Sequence, residues 1–237
     1  MLLVHPAAIE APPGQEAEAA VRATTCWATW ALIAVAIGTF ALERSAAWSL
    51  SHPNGILEEA HARALSLAAA SARLYAQPEL FEPWQLWSHA LLHDGWWHLL
   101  ANVAAVLLVG RAIERRLGAV ALIASALTIA PISAAAAILA GGEPGSSGVV
   151  CGWFALLLVR EPQARVRWGL SYYLVLVVGH VSLCRLPLST LWLAYLVQEG
   201  LRWSLAGQPA PWAWWAAATL AGAVLGHASR RWQPAAA

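Results

Sequence analysis

The sequence predicts an all-α fold: a polytopic membrane helix bundle with six core transmembrane helices, or seven. Three observations predict it. Of the 237 residues, 59% are hydrophobic and only 11% are charged, against about 25% charged in soluble domains. The mean hydropathy is +0.57. Apolar stretches of bilayer length recur along the chain, and arginines cluster in the connections between them.

Residues 1–24 read as a polar tail, 25–232 as one membrane domain, and 233–237 as a C-terminal tail. The tail contains prolines and acids and lacks the basic start of a secretory signal, so the apolar stretch behind it reads as an uncleaved first helix. That helix spans Thr25 to Leu42. Glu43 to Glu82 forms a long external loop, with an amphipathic helix around His61 to Tyr75. The second helix spans Trp96 to Val109, supported from about Ser88, and the third spans Val120 to Leu139. The fourth, Ser147 to Val159, is short because it starts inside the protein. Trp168 to Cys184 reads as the fifth, and Trp212 to Leu225 as the last strong one.

Leu188 to Trp203 is apolar but short, and leaves two counts open. If it spans there are seven helices and Arg230 ends outside; if it is interfacial there are six and Arg230 ends inside. Glu199 and Arg202 within it favour the interfacial form. Ala218, Gly222 and Gly226 follow at four-residue spacing, a small-residue face suited to close helix packing. Arg111, Arg115 and Arg116 follow the second helix, and Arg160, Arg165 and Arg167 the fourth. The positive-inside rule makes both connections cytoplasmic. The loop before Ser147 then faces outside.

Several classes drop out. All fourteen basic residues are arginine and the net charge is +1, so nothing points to nucleic acid. Cys26, Cys151 and Cys184 are too few and too scattered for a disulfide framework or a metal spacing. His89 and His93 stand four apart, as a metal pair would, but no third ligand has a sensible spacing. Both read as structural. An ion path would need acids within the helices, and only Glu199 qualifies.

Two places carry chemistry. Gly141-Gly142-Glu143-Pro144 cannot continue a helix, and Gly145-Ser146-Ser147-Gly148 then opens the fourth helix. Flanking glycines let other backbone approach the Ser147 hydroxyl. Ser147 is therefore either an N-cap or a reactive group. On the second helix, His98 and Asn102 are four apart and share a face. Their N–H donors can point at one spot, as stabilisation of an oxyanion requires, at roughly the depth of Ser147.

The run Trp84 to Asn102, the string Ala112-Ile113-Glu114-Arg115-Arg116-Leu117-Gly118, and Gly145 to Gly148 together resemble the rhomboid family of intramembrane serine proteases, in continuous order from about Pro83 to Arg160. The family carries H-x-x-x-N on its second core helix and G-x-S-G on its fourth. The resemblance implies Ser147 as nucleophile, with His98 and Asn102 as oxyanion-side donors. It implies a multi-pass protein of a bacterial plasma membrane with its site facing outside, a membrane-anchored protein substrate taken from the lipid bilayer, and no cofactor. Cys151-Gly152 after the serine motif resembles the rhombosortase subgroup. The family's last-helix histidine is missing: Thr219 stands at its place in Ala218-Thr219-Leu220-Ala221-Gly222. Two histidines are candidates to replace it: His180, near the outer end of the expected fifth helix, is the better placed, as a base or as a gate or packing residue, and His227 lies at the end of the last helix beside Arg230; the third alternative is that no base is present. The rival reading is an inactive relative that binds transmembrane segments.

Overall fold

A computed structural model describes residues 2–10, 26–51, 83–93, 95–139, 146–174, 177–205 and 212–230. The amphipathic helix expected around His61 to Tyr75, and Gly145 of the serine motif, lie outside the described residues. The elements are β1 (Leu2–Glu10), α1 (Trp27–Ser51), α2 (Gln85–Ser88), α3 (Trp96–Leu117), α4 (Ala119–Leu139), α5 (Ser147–Arg160), β2 (Arg165–Leu174), β3 (Val177–Pro187), α6 (Leu188–Leu205) and α7 (Trp212–Arg230). By length and composition, Trp96–Leu117 and Ala119–Ala137 are apolar enough to cross a bilayer. Large apolar side chains such as Trp27, Trp97, Val120, Leu139 and Val224 face outward, as the lipid-facing surface of a bundle requires.

Contacts set the direction of each helix. The start of α1 meets the end of α3: Glu114 accepts from the Ala28 and Thr29 backbone N–H groups at 3.0 and 2.9 Å, and from the Thr29 hydroxyl at 2.6 Å. Phe40, further along α1, packs edge-on against Trp96 at the start of α3, with ring centroids 4.8 Å apart. These two helices are antiparallel. Gly118, at φ 89°, reverses the chain between α3 and α4, a conformation that a side chain would strain. α4 runs against α5: Trp153 Nε1 donates to Ser125 Oγ at 2.9 Å, and Gly148 faces Ser133. α6 is also antiparallel to α5, with Leu188 N–H donating to Ala164 O at 2.9 Å and Tyr195 beside Phe154.

α5 and α7 are parallel. Trp215 meets Ser147, Gly222 meets Gly152, and Gly226 meets Leu156. The far ends are tied by Arg160 Nη1 donating to Ser229 O and Arg230 Nη2 donating to Val159 O. Ala218, Gly222 and Gly226 are the buried face of α7.

Two expectations change. The fifth helix expected over Trp168 to Cys184 is absent. Those residues form β2 and β3, an antiparallel hairpin running from Arg165 opposite Pro187 to Leu174 opposite Val177. Valine and tyrosine crowd this stretch, and β-branched and aromatic residues favour strands; an apolar run alone does not separate the two states. β1 pairs with β2, from Leu2 opposite Tyr172 to Glu10 opposite Arg165, so part of the expected N-terminal tail is a third strand. The second concerns α6: Leu188 to Trp203, short as an apolar stretch, lies within a helix of 18 residues. One helix is lost and one gained. Six long helices remain among the described residues, and Arg230 still ends beside Arg160.

Glu114 ties α1 to α3, and its removal is testable. Glu114→Ala strips the acceptor from a buried helix start. Hydrogen bonds to charged groups contribute about 1.5–3 kcal/mol, so thermal unfolding in detergent should come markedly earlier. An unchanged transition would show that the tie is not stabilising.

Candidate active site

Ser146 and Ser147 stand at the head of α5, both buried. Gly148 follows because α4 crosses there: a Cβ on it would lie 2.9 Å from Ser133 Cβ. Consecutive helical residues diverge by about 100°, so the two serines face different neighbours. Ser147 Oγ accepts from Trp215 Nε1 of α7 at 3.2 Å. Ser146 Oγ lies 3.4 Å from His98 Nε2 of α3.

α3 presents His98 and Asn102 on one buried face. Asn102 Nδ2 donates back to His98 O at 2.9 Å, and Asn102 Oδ1 accepts from Tyr195 O–H at 2.9 Å. Tyr195 and Glu199 are one turn apart on α6 and point into the same place. Glu199 Oε2 lies 3.9 Å from His98 Nε2 and accepts from Arg202 Nη2 at 3.1 Å. Glu199 is 0% exposed, turned toward the bundle. The His93 ring stands 5.2 Å from that of His98.

The structure thus brings His98, Asn102 and the serine pair together, with Ser146 rather than Ser147 against the imidazole. A cavity of about 450 Å³ opens beside them. Leu32 of α1, Trp87 of α2, Val106 of α3, Leu127 of α4 and Val150 of α5 line its apolar part; Asn102, Ser146 and His93 supply polar atoms.

The expected bases sit differently. Thr219 is one turn beyond Trp215 on α7. His227 is twelve residues beyond Trp215, which is roughly 18 Å along a helix, at the Arg230 end. His180 is on β3 opposite Ser171. The helix that was to place it at the depth of Ser147 does not form, and its hairpin is rooted at the Arg160 end of α5. Cys151 is fully buried one turn after Ser147, and so is His89 ahead of α3. Among the described residues, no three His, Cys, Asp or Glu side chains gather as a metal site would.

Ser146, Tyr195, Glu199 and Trp215 are the site residues that sequence reasoning passed over. One signal was present: Glu199 is the only acid inside an apolar segment after the serine motif, and such an acid is by default a functional candidate.

A family model described as Rhomboid domain matches residues 80–229, which is more than half of the chain. None of the curated proteins matches it.

Proposed function

Because the chain belongs to the rhomboid family, integral membrane proteins that act on membrane-protein substrates within the bilayer, we propose that it is an intramembrane serine endopeptidase cleaving membrane-anchored proteins. One observation carries this reading: two buried hydroxyls at the head of α5, one of them 3.4 Å from an imidazole, beside an apolar cavity. A cavity of that character suits an apolar segment whose backbone has unwound enough to expose a carbonyl. Acyl transfer then needs only a hydroxyl, a proton acceptor, oxyanion donors and water.

The family motif assigns the attack to Ser147 and the oxyanion to His98 and Asn102; it assigns no base to His180, and Thr219 stands at the place of the family's histidine. In that assignment Asn102 Nδ2 must exchange the His98 carbonyl for the oxyanion as substrate enters. With the arginine-rich end cytoplasmic, the serines open to the outside of a bacterial plasma membrane. Cys151-Gly152 supports a rhombosortase-type substrate, a surface protein with a membrane-anchored sorting tail.

A second reading is an inactive binder of transmembrane segments. Trp215 favours it. An indole N–H is a donor only, so the group 3.2 Å from Ser147 Oγ takes no proton from it.

Cleavage separates the two readings. Wild-type protein in proteoliposomes is expected to cut a reporter carrying a single transmembrane segment. The double variant Ser146→Ala, Ser147→Ala should abolish the product. A wild type that crosslinks to the reporter but yields no product would establish the binder.

A further inference from the structure

We infer that Tyr195 of α6 is the positioning residue of the Asn102 oxyanion donor, its phenol holding the amide oxygen so that the amide nitrogen is the edge offered to the site; this rests on the peptidase reading. An asparagine amide has two edges of similar shape and opposite chemistry. The Nδ2 edge carries two donor hydrogens, and the Oδ1 edge only accepts. An oxyanion is stabilised by the first and repelled by the second. Asn102 can serve only if its surroundings fix which edge faces the serines.

Two contacts fix it. Asn102 Nδ2 is 2.9 Å from the His98 carbonyl oxygen. A carbonyl oxygen only accepts, so the nitrogen belongs on that side. Oδ1 is then the atom 2.9 Å from the Tyr195 hydroxyl. A phenol can donate or accept, but opposite an amide oxygen it donates. Tyr195 is itself held: it is buried, and its ring centroid is 5.8 Å from that of Phe154 on α5. Asn102 lines the apolar cavity together with Ser146, so the oriented amide borders the space that receives a substrate.

Tyr195 touches no reacting atom and acts through Asn102 in two ways. When Nδ2 leaves the His98 carbonyl for the oxyanion, the bond from Tyr195 is the one that persists. The amide then turns about a held oxygen and does not flip. A hydrogen bond accepted at Oδ1 also polarises the amide and makes its N–H groups stronger donors. The tyrosine comes from α6 and the asparagine from α3, so the donor is set only while α6 is seated against α5. Ser147 and His98 keep the roles that the family motif gives them.

The test uses the full chain in proteoliposomes with the single-segment reporter, read as kcat and KM, and thermal unfolding in detergent alongside. Tyr195→Phe removes the hydroxyl and keeps the ring against Phe154. It should lower kcat about tenfold, a part of the 10²–10³-fold cost of losing the donor itself, with KM little changed. The same substitution made on Asn102→Ala should lower kcat no further, because residues that act as one unit are not additive. A Tyr195→Phe protein with the kcat of wild type overturns the inference and leaves the peptidase reading standing. So does a loss carried by KM alone, which places the phenol in substrate binding. An equal loss of kcat in both backgrounds, with earlier unfolding in each, overturns it as well and leaves Tyr195 a packing role. A wild type that yields no product overturns both readings.

Discussion

His98→Gln should lower reporter cleavage by about 10²–10³-fold, the range for loss of one preorganised oxyanion donor, while the protein stays folded. Loss of the attacking serine should cost more, because no bond to the carbonyl carbon then forms. Glutamine keeps a polar group near the imidazole position and limits the void. The expectation rests on position. His98 is buried, faces Ser146 at 3.4 Å and Glu199 at 3.9 Å, and shares its helix face with Asn102. Asn102→Ala is the natural comparison. Its Nδ2 is bonded to the His98 carbonyl and its Oδ1 to Tyr195, so it also holds the turn of α3 that carries His98. Rates measured at saturating and limiting reporter separate binding from chemistry. Cleavage by His98→Gln within about threefold of wild type, against the cited range for an oxyanion donor, would remove the imidazole from the reaction.

The chemistry-bearing part of the fold was readable where local signals agree. Gly and Pro before Ser147 stop a helix, and an apolar run starts the next. His98 and Asn102 share a face by spacing alone. Arginines cluster at one end, and the packing gathers Arg116, Arg160 and Arg230 there through their contacts with Glu161, Ser229 and Val159. The small face of α7 was likewise set by spacing.

Where signals conflict, the reading fails for a physical reason. Residues 168–184 are as apolar as a membrane helix, and hydropathy does not report that valine and tyrosine prefer the pleated backbone. Glu199 and Arg202 looked too polar for a buried helix. The bundle resolves that by turning Glu199 toward His98 and pairing it with Arg202. Pairing across elements is invisible to a pattern read along one element. The same limit applies to the serines, since only the packing of α3 and α7 against α5 reveals which hydroxyl meets which partner.

That packing is itself the subject of the second large effect. Gly222→Ala should prevent α7 from seating on α5. A Cβ at Gly222 would lie 2.5 Å from the Gly152 carbonyl carbon and 2.7 Å from Gly152 Cα. Both obstacles are backbone, so no side chain can rotate away. The usual cost of overpacking is about 1–3 kcal/mol, and a backbone obstacle belongs at or above the top of that range. Alanine's better helix propensity, about 1 kcal/mol over glycine, offsets only part of it. The control is Gly38→Ala on α1, where an added Cβ meets nothing within 4 Å; it should unfold no earlier than wild type. Thermal unfolding in detergent reads both variants. The site should feel the change as well. Gly152 is on the helix that Ser146 and Ser147 begin, and Trp215 is on the helix that Gly222 seats. If Gly222→Ala unfolds with wild type and cleaves normally, the close approach of α5 and α7 does not hold the serines in place.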